Sequence, residues 1–363
     1  MNIAIINSTD FWSMGWATDP ESQQQVVESL VRGGVNVEVF EVASKRQLLA
    51  VLEPLKQKHY LVWPNAYKVY AFEGSQQTLW LADLVKEQGF GLIGSDATTL
   101  RHLMLKDQCQ SVLEKHSVAI PYFAAIDDTM LGNLQAVLQA RGLSFPLFVK
   151  PNALSTSKGI TQDCVVHDLD SLRRQIKKLG EQFSYPVMVE EYLPGQDITV
   201  AVFRTPERPI ILATYYDTEI YDDPAAVLDH SVRLLDWNDR KWLRVVSEPE
   251  VLAKIESVAL ATCRALDIHE FTRMDCRMDR HGNIKVFDVN GYPGLELPFS
   301  TTVWQMIVKM HEKPQRYAFD TLIALVIYCV AHRHNLAVPV VINQLAQAYI
   351  AEAASAMDCL STA

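Results

Sequence analysis

The chain has 363 residues, 49% hydrophobic and 21% charged, with 43 acidic against 33 basic side chains and a net charge of −10. That is length for two or three packed domains of an ordinary soluble globular protein. The acidic balance argues against a nucleic-acid partner, whose phosphates need clustered Lys and Arg, but not against small anionic ligands, which need only two or three placed cations.

The opening Met1-Asn2-Ile3-Ala4-Ile5-Ile6-Asn7 lacks the basic and long apolar regions of an export signal. The longest apolar run, Leu322 to Ala331, is about half a membrane span and closely follows Asp320, so it reads as a buried core helix and no membrane partner is expected. Cys109, Cys164, Cys263, Cys276, Cys329 and Cys359 are scattered, with no zinc or iron–sulfur spacing. In a chain without an export signal they read as reduced thiols of a cytoplasmic protein.

The first ninety residues alternate strands with amphipathic helices. Asn2–Asn7 reads as a strand. Pro20–Arg32 reads as a helix, capped at Thr18 or Asp19 and stopped by Gly33-Gly34. Val35–Val42 (strand), Lys45–Lys56 (helix), Tyr60–Trp63 (strand), Gln76–Glu87 (helix) and Gly91–Ile93 (strand) follow. This rhythm favours a parallel sheet with helices on its faces. Asp96–His116 reads as one long helix. Phe145–Lys150 and Asp163–His167 are short strands around a polar loop, and Ser171–Phe183 is helical. Pro186–Tyr216 is β-like, and Asp217–Lys241 is polar, irregular and longer than most loops. A helix over Pro249–Leu266 precedes the strands Phe271–Met278 and Asn283–Val289, and the last fifty residues read as helical.

Four segments carry candidate chemistry. Phe271-Thr272-Arg273-Met274-Asp275 and Phe287-Asp288-Val289-Asn290 are strands joined by the turn Asp279-Arg280-His281-Gly282. A four-residue loop pairs Met278 with Asn283 and Arg273 with Asp288. The two-residue alternation of side chains then puts Arg273, Asp275, Asp288 and Asn290 on one face. Two carboxylates and an amide oxygen suit magnesium, which keeps positions open for phosphates; a solvated charged hairpin is the bland alternative. The second segment is a strand ending at Lys150 that opens into Pro151-Asn152-Ala153-Leu154-Ser155-Thr156-Ser157-Lys158-Gly159. Its small residues let backbone N–H groups approach a phosphate. The third, Glu190-Glu191-Tyr192-Leu193-Pro194-Gly195-Gln196-Asp197, can offer backbone groups to an adenine edge and a carboxylate to a ribose. The fourth is Gly94-Ser95-Asp96 with Lys106 further along the predicted helix. Each segment alone reads as ordinary surface about as well.

Taken together and in this order, the four segments resemble the ATP-grasp fold, and D-alanine–D-alanine ligases in particular, from about Gly94 to Ser300. The resemblance implies an α/β (α+β) ATP-grasp fold of three domains: a Rossmann-like N-terminal parallel sheet over 1–95, a central subdomain over 96–185 and a metal-bearing subdomain over 186–312. A helical extension over 313–363 completes the chain. The implied activity is an ATP-dependent, ADP-forming carboxylate–amine ligase working through an acyl-phosphate. Lys106 and Lys150 would contact ATP phosphates. Ser155, Thr156, Ser157 and Gly159 would fold over the γ-phosphate as a lid. Glu190, Glu191 and Leu193 would frame the adenine above Phe287, and Asp197 would take the ribose. Asp275, Asp288 and Asn290 would hold magnesium as two ions, with manganese as a substitute. Arg273 would stabilise the oxyanion, with Ser157 and Tyr216 as further catalytic candidates. The partners implied are a small carboxylate, an amino acid and a second copy of the chain in a homodimer.

Three departures bear on the substrate. The segment Ser8–Asp19 carries Trp12 and Trp16 where the family has a Gly-rich stretch with an acid, which suggests a flat or ring-bearing acceptor or, equally, aromatics packing a domain interface. The loop Asp217–Lys241 lacks the family's Lys-Tyr, leaving Tyr216, Tyr221, His230 and Arg233 as candidates, with Arg233 expected on phosphate. Leu295–Ser300 lacks the family's Ser/His-rich run, although Ser300 could bind the second substrate's carboxylate. The mycosporine-amino-acid ligases of cyanobacteria and L-amino-acid or dipeptide ligases are therefore alternatives. A nucleotide-binding regulator is disfavoured because pure binding does not need Arg273.

Overall fold

The computed structural model describes residues 1–11, 15–154, 157–216, 227–228, 243–296 and 300–361. The first sheet has the order β2-β1-β3-β6, all parallel, built from β1 (Asn2–Ser8), β2 (Asn36–Val42), β3 (Tyr60–Pro64) and β6 (Gly91–Leu92). Between β1 and β2 runs α1 (Pro20–Arg32). Asp19 accepts hydrogen bonds from the Glu21 and Ser22 amides, Pro20 sits in the first turn, and Gly34 ends the segment at φ 81°. A short helix α2 (Lys45–Leu52) continues as a 3-10 turn over Glu53–Lys58.

Two predicted helices differ from expectation. The Gln76–Glu87 segment divides into a strand β5 (Thr78–Trp80), paired with β4 (Lys68–Tyr70), and a helix α3 (Leu81–Glu87). Asp96–His116 is two helices, α4 (Ala97–Met104) and α5 (Lys106–Lys115), broken at Leu105, whose backbone is extended at φ −117°, ψ 122°. Asn152 explains the break. Its carbonyl accepts from the Lys106 amide at 3.1 Å and its side chain from the Asp107 amide at 2.9 Å. These are two of the orphan donors of a new helix N-terminus.

The second sheet has the order β7-β10-β8-β9, formed by β7 (Phe123–Ile126), β8 (Leu147–Pro151), β9 (Val165–Val166) and β10 (Val187–Glu191), with α6 (Leu134–Ala140) and α7 (Leu169–Phe183) packed on it. The third is antiparallel, β13-β12-β11-β14-β15: β11 (Asp197–Phe203), β12 (Ile210–Tyr216), β13 (Leu243–Val245), β14 (Phe271–Met278) and β15 (Ile284–Asn290). The helix α8 (Pro249–Ala265) covers one face through Ile255, Ala259 and Cys263.

Three helices close the chain, α9 (Thr301–Lys309), α10 (Gln315–Arg333) and α11 (Val340–Ser361). The helical extension is not a separate layer. Phe319, Leu322, Val326 and Val330 of α10 share one hydrophobic cluster with Ile3, Ile6 and Leu30 of the N-terminal unit. Every residue from Thr321 to Ala331 is buried, which is why this helix is apolar all round. An Arg32–Asp320 ion pair at 2.5 Å ties α1 to α10. Among the described residues, no helix is long and apolar enough to cross a membrane.

Candidate active site

The second and third sheets face each other across a cleft lined by residues of both, among them Lys150 and Glu190 from one and Arg273 and Asp288 from the other. Its geometry starts with the β14–β15 pairing. Arg273 stands opposite Asn290 and Asp275 opposite Asp288; the register then shifts, so that Cys276 faces Val286 and Met278 faces Ile284. The expected partners, Asp288 for Arg273 and Asn283 for Met278, are corrected by two shifts that the sequence pattern did not reveal: a turn one residue longer, which sets Met278 opposite Ile284, and a β-bulge between Asp275 and Cys276, which adds one more at Arg273. The correction preserves parity, and Arg273, Asp275, Asp288 and Asn290 all line the cleft. The bulge adds something regular alternation forbids: the adjacent Phe287 and Asp288 both line it.

Opposite charges are brought together in this water-poor space. The Lys106 ammonium lies 2.8 Å from Asp288 Oδ1, and the Lys150 ammonium 2.8 Å from Glu190 Oε2. Lys150 also donates to the Phe287 carbonyl at 3.0 Å and sits 5.2 Å from the Phe287 ring centroid. The break at Leu105 starts α5 at Lys106, and Asn152, which secures that start, follows β8 by one residue. The two lysines are thus coupled through the backbone. Burial pushes the Glu190 carboxyl up despite Lys150. Burial would do the same to Asp288, but Lys106 and Lys150 outweigh it and hold that carboxyl below its ordinary value. Burial pulls Lys106 down, yet Asp288 holds it above its usual value, so it stays cationic.

Arg273 Nη2 approaches Asp275 Oδ2 at 3.5 Å. Arg273 Nε, Asp275 Oδ1 and Glu190 Oε1 are buried and have no hydrogen-bond partner among the described residues. Such atoms are costly unless a ligand completes them. Among the described residues no three His, Cys, Asp or Glu side chains cluster as a self-sufficient metal site. Asp275, Asp288 and Asn290 instead offer two carboxylates and an amide on one face, a donor set that fits magnesium sharing its shell with phosphates and water.

The other predicted residues divide. Glu191 pairs with Lys285 at 2.6 Å, Leu193 lines the cleft, and Asp197 lies 3.8 Å from Arg277 Nε. Tyr216 reaches the cleft, its hydroxyl 3.4 Å from Thr301 Oγ1. Ser157 lines it from a left-handed backbone at φ 54° and donates to the Leu228 carbonyl at 3.1 Å. Gly159, at φ 82°, lies where a Cβ would meet Phe183 at 2.7 Å and Pro151 at 2.8 Å, so glycine is required there. Trp12, Ser155, Thr156 and Arg233, with Tyr221 and His230, lie outside the described residues.

Two substrate candidates are corrected. Trp16 is 2% exposed, with ring centroids of Phe271 at 5.6 Å, Tyr292 at 5.0 Å and Trp63 at 5.7 Å. It packs the junction between the N-terminal and third sheets and offers no face to a substrate. Ser300 caps α9, accepting from the Val303 amide at 3.3 Å and donating to the Gly294 carbonyl, so its hydroxyl is committed. Sequence reading also missed Arg277 and Lys285. They pair across β14 and β15 on the face of Asp275, and the same alternation that picked out Arg273 extends to Arg277.

The D-ala D-ala ligase C-terminus family matches residues 113–323. The chain belongs to that family. An uncharacterized Sinorhizobium fredii protein, y4sG, is 30% identical over 162 residues, 42% of this chain and 44% of that protein. The D-alanine–D-alanine ligase of Bacillus anthracis is 29% identical over 157 residues, 42% of this chain and 46% of the ligase. The chain thus spans less than half the length of these curated relatives. A crystal structure of the Bacillus anthracis ligase complexed with ATP superposes with a TM-score of 0.63 at 17% identity, covering 92% of this chain and 99% of that one. At that identity the likeness shows the ATP-grasp fold expected for a D-ala D-ala ligase family member.

Proposed function

We propose that this chain is an ATP-dependent, ADP-forming ligase that joins a carboxylate to the amine of an amino acid through an acyl-phosphate. One observation carries the reading: Lys106, Lys150, Arg273, Asp275, Asp288 and Asn290, drawn from separate segments, all line one cleft. Family membership and the named activity of the Bacillus anthracis relative support it.

A carboxylate resists an amine because its oxygen leaves poorly; transfer of the γ-phosphoryl group to it supplies a leaving group. Lys106 and Lys150 bind the phosphates and oppose their charge, as positioned cations do in phosphoryl transfer. Asp275, Asp288 and Asn290 would hold magnesium, which would supply further neutralisation of the phosphate oxygens. Glu190, Glu191, Leu193 and Phe287 frame the adenine, and Asp197 takes a ribose hydroxyl. When the amine attacks the acyl carbon, a tetrahedral oxyanion develops. Arg273, with a buried unpartnered Nε, stabilises it, an effect of about 3 kcal/mol for one donor. Ser157, tied to Leu228, keeps water from the acyl-phosphate. Trp16, buried in the core, lends no support to a ring-bearing acceptor. We further propose that the units 1–95, 96–185 and 186–312 act as the three ligase domains and that the protein works as a homodimer.

The test is amine-dependent ADP release from ATP and magnesium across panels of carboxylates and amines, D-alanine included. Release that requires both partners, with a stoichiometric amide product, supports ligation. Release with a carboxylate alone identifies an acyl kinase instead, and no release with any pair ends the reading.

A further inference from the structure

The C-terminal helices meet the rest of the chain in a dense polar knot that the ligase reading does not use. Arg333, the last residue of α10, spreads its guanidinium over three segments. Its Nε forms an ion pair with Glu270, whose side chain is 1% exposed. Its Nη1 lies 3.1 Å from His269 Nδ1, and its Nη2 donates to the Leu92 carbonyl and, at 3.5 Å, to the Gly94 carbonyl. The adjacent His334 adds a 3.0 Å contact to the Leu92 carbonyl. Glu270 in turn accepts the Gly94 amide at 2.8 Å, and Ser95 Oγ accepts the His269 amide at 3.0 Å.

The backbone here is strained. Asp267 and Glu270 are non-glycine residues at φ 49° and 45°, conformations that cost on the order of 1–3 kcal/mol each and persist where surroundings impose them. A glycine would sit at either position without that cost. A buried carboxylate kept at such a position points to a use for the carboxylate. Glu270 directly precedes β14, three residues before Arg273. Gly94 and Ser95 lead into α4 and, past the break, to Lys106. The knot therefore joins, at one point, the two segments that deliver the cleft's phosphate-binding lysine and its oxyanion-side arginine.

We propose that Glu270 and Arg333 are positioning residues through which α10 sets the relative placement of the Lys106-bearing and Arg273-bearing segments of the ligase site. Neither residue lines the cleft, so they act on the reaction through those segments. The proposal rests on the ligase reading for its kinetic readout and on geometry alone for its structural one.

Burial pushes the Glu270 carboxyl up to about 7 against the opposing pull of Arg333. The groups facing it are Arg333 and Cys329 from α10, Arg204 just after β11, and Asp267 and His269 from its own loop, with His332 on the rim. Burial, and then Arg333, push His269 below its ordinary value, so it is neutral where Glu270 titrates. A neutral Glu270 loses the charge that binds Arg333. Activity should therefore fall as pH drops through about 7.

The experiment compares the full-length wild type with Glu270→Gln and Arg333→Lys. Glu270→Gln keeps an acceptor for the Gly94 amide but removes the charge; Arg333→Lys keeps charge but loses the fork. Misplacing a site by about 1 Å costs on the order of 100-fold, so kcat is expected to fall by roughly 10- to 100-fold. The KM for ATP should change less. The acid limb near pH 7 should vanish in Glu270→Gln. Hydrogen exchange at the Gly94–Ser95 and Phe271–Asp275 amides should quicken in both variants, a readout that requires no ligation. Faster exchange in a protein without ligase activity would support the strut while sinking the ligase reading. Unchanged exchange in both segments, or an acid limb that persists in Glu270→Gln, overturns the proposal. Should Glu270→Gln fail to fold, Arg333→Lys with unchanged exchange and kcat overturns it equally.

Discussion

Replacing Lys150 with methionine separates the stabilising and functional roles of the cleft's most buried ion pair. Lys150 and Glu190 are 4% and 3% exposed and 2.8 Å apart. At an effective dielectric of about 20, two unit charges at that separation attract by about 6 kcal/mol, most of it offset by desolvation of the two ions. Deleting the cation alone leaves Glu190 buried and uncompensated, which typically costs about 3–5 kcal/mol. Glu190 can limit that loss by taking up a proton, since burial already holds its carboxyl above 4.5 with Lys150 present. Without Lys150 the folded-state value rises further while the unfolded value stays ordinary. The folded state then binds more protons than the unfolded one, so the variant's stability should fall as pH rises from about 4.5 through the raised value. The double variant Lys150→Met/Glu190→Gln should recover most of the loss, leaving a coupling energy of about 2–3 kcal/mol, yet neither variant should bind ATP normally. Three separate hydrophobic clusters make a single global transition unsafe. The assay is therefore exchange protection of the Val149 and Val189 amides between pH 5 and 9, with ATP binding by calorimetry. Additive single effects, or a pH-independent loss in Lys150→Met, would refute the reasoning.

Arg273→Ala should lower kcat by about 10²- to 10³-fold while calorimetry finds ATP binding within a few-fold of wild type; normal product formation would remove the oxyanion role. In Asp275→Asn the magnesium needed for half-maximal ADP release should rise by at least 10- to 100-fold, the scale for loss of groups that merely orient metal ligands. Trp16→Ala should destabilise the domain junction by about 3–5 kcal/mol and leave the ranking of amine substrates unchanged; an altered ranking would return Trp16 to the substrate site.

The register of β14 and β15 shows how far pattern reading reaches. Alternation correctly grouped Arg273, Asp275, Asp288 and Asn290, because the true pairing differs from the expected one by an even number of residues at Arg273. It could not foresee Phe287 and Asp288 side by side, since a bulge is a local compromise between twist and pairing. The long helix expected over Asp96–His116 failed for a related reason. Nothing local breaks it at Leu105; Asn152, 47 positions later, does so by supplying acceptors to the Lys106 and Asp107 amides.

What the sequence alone determined are the features written in neighbouring residues: the strand–helix rhythm of the first ninety positions, a helix start capped at Thr18 or Asp19, and the ordered charged segments that mark the family. What only the tertiary structure decided are relations between distant residues. Trp16 packs among the aromatics of two sheets, Lys106 meets Asp288, and α10 belongs to the N-terminal core rather than to a separate extension. Periodicity reports which face of an element is apolar, because burial acts on each element separately. It is silent on which other element covers that face, because that choice is made by shape and charge meeting across the whole chain.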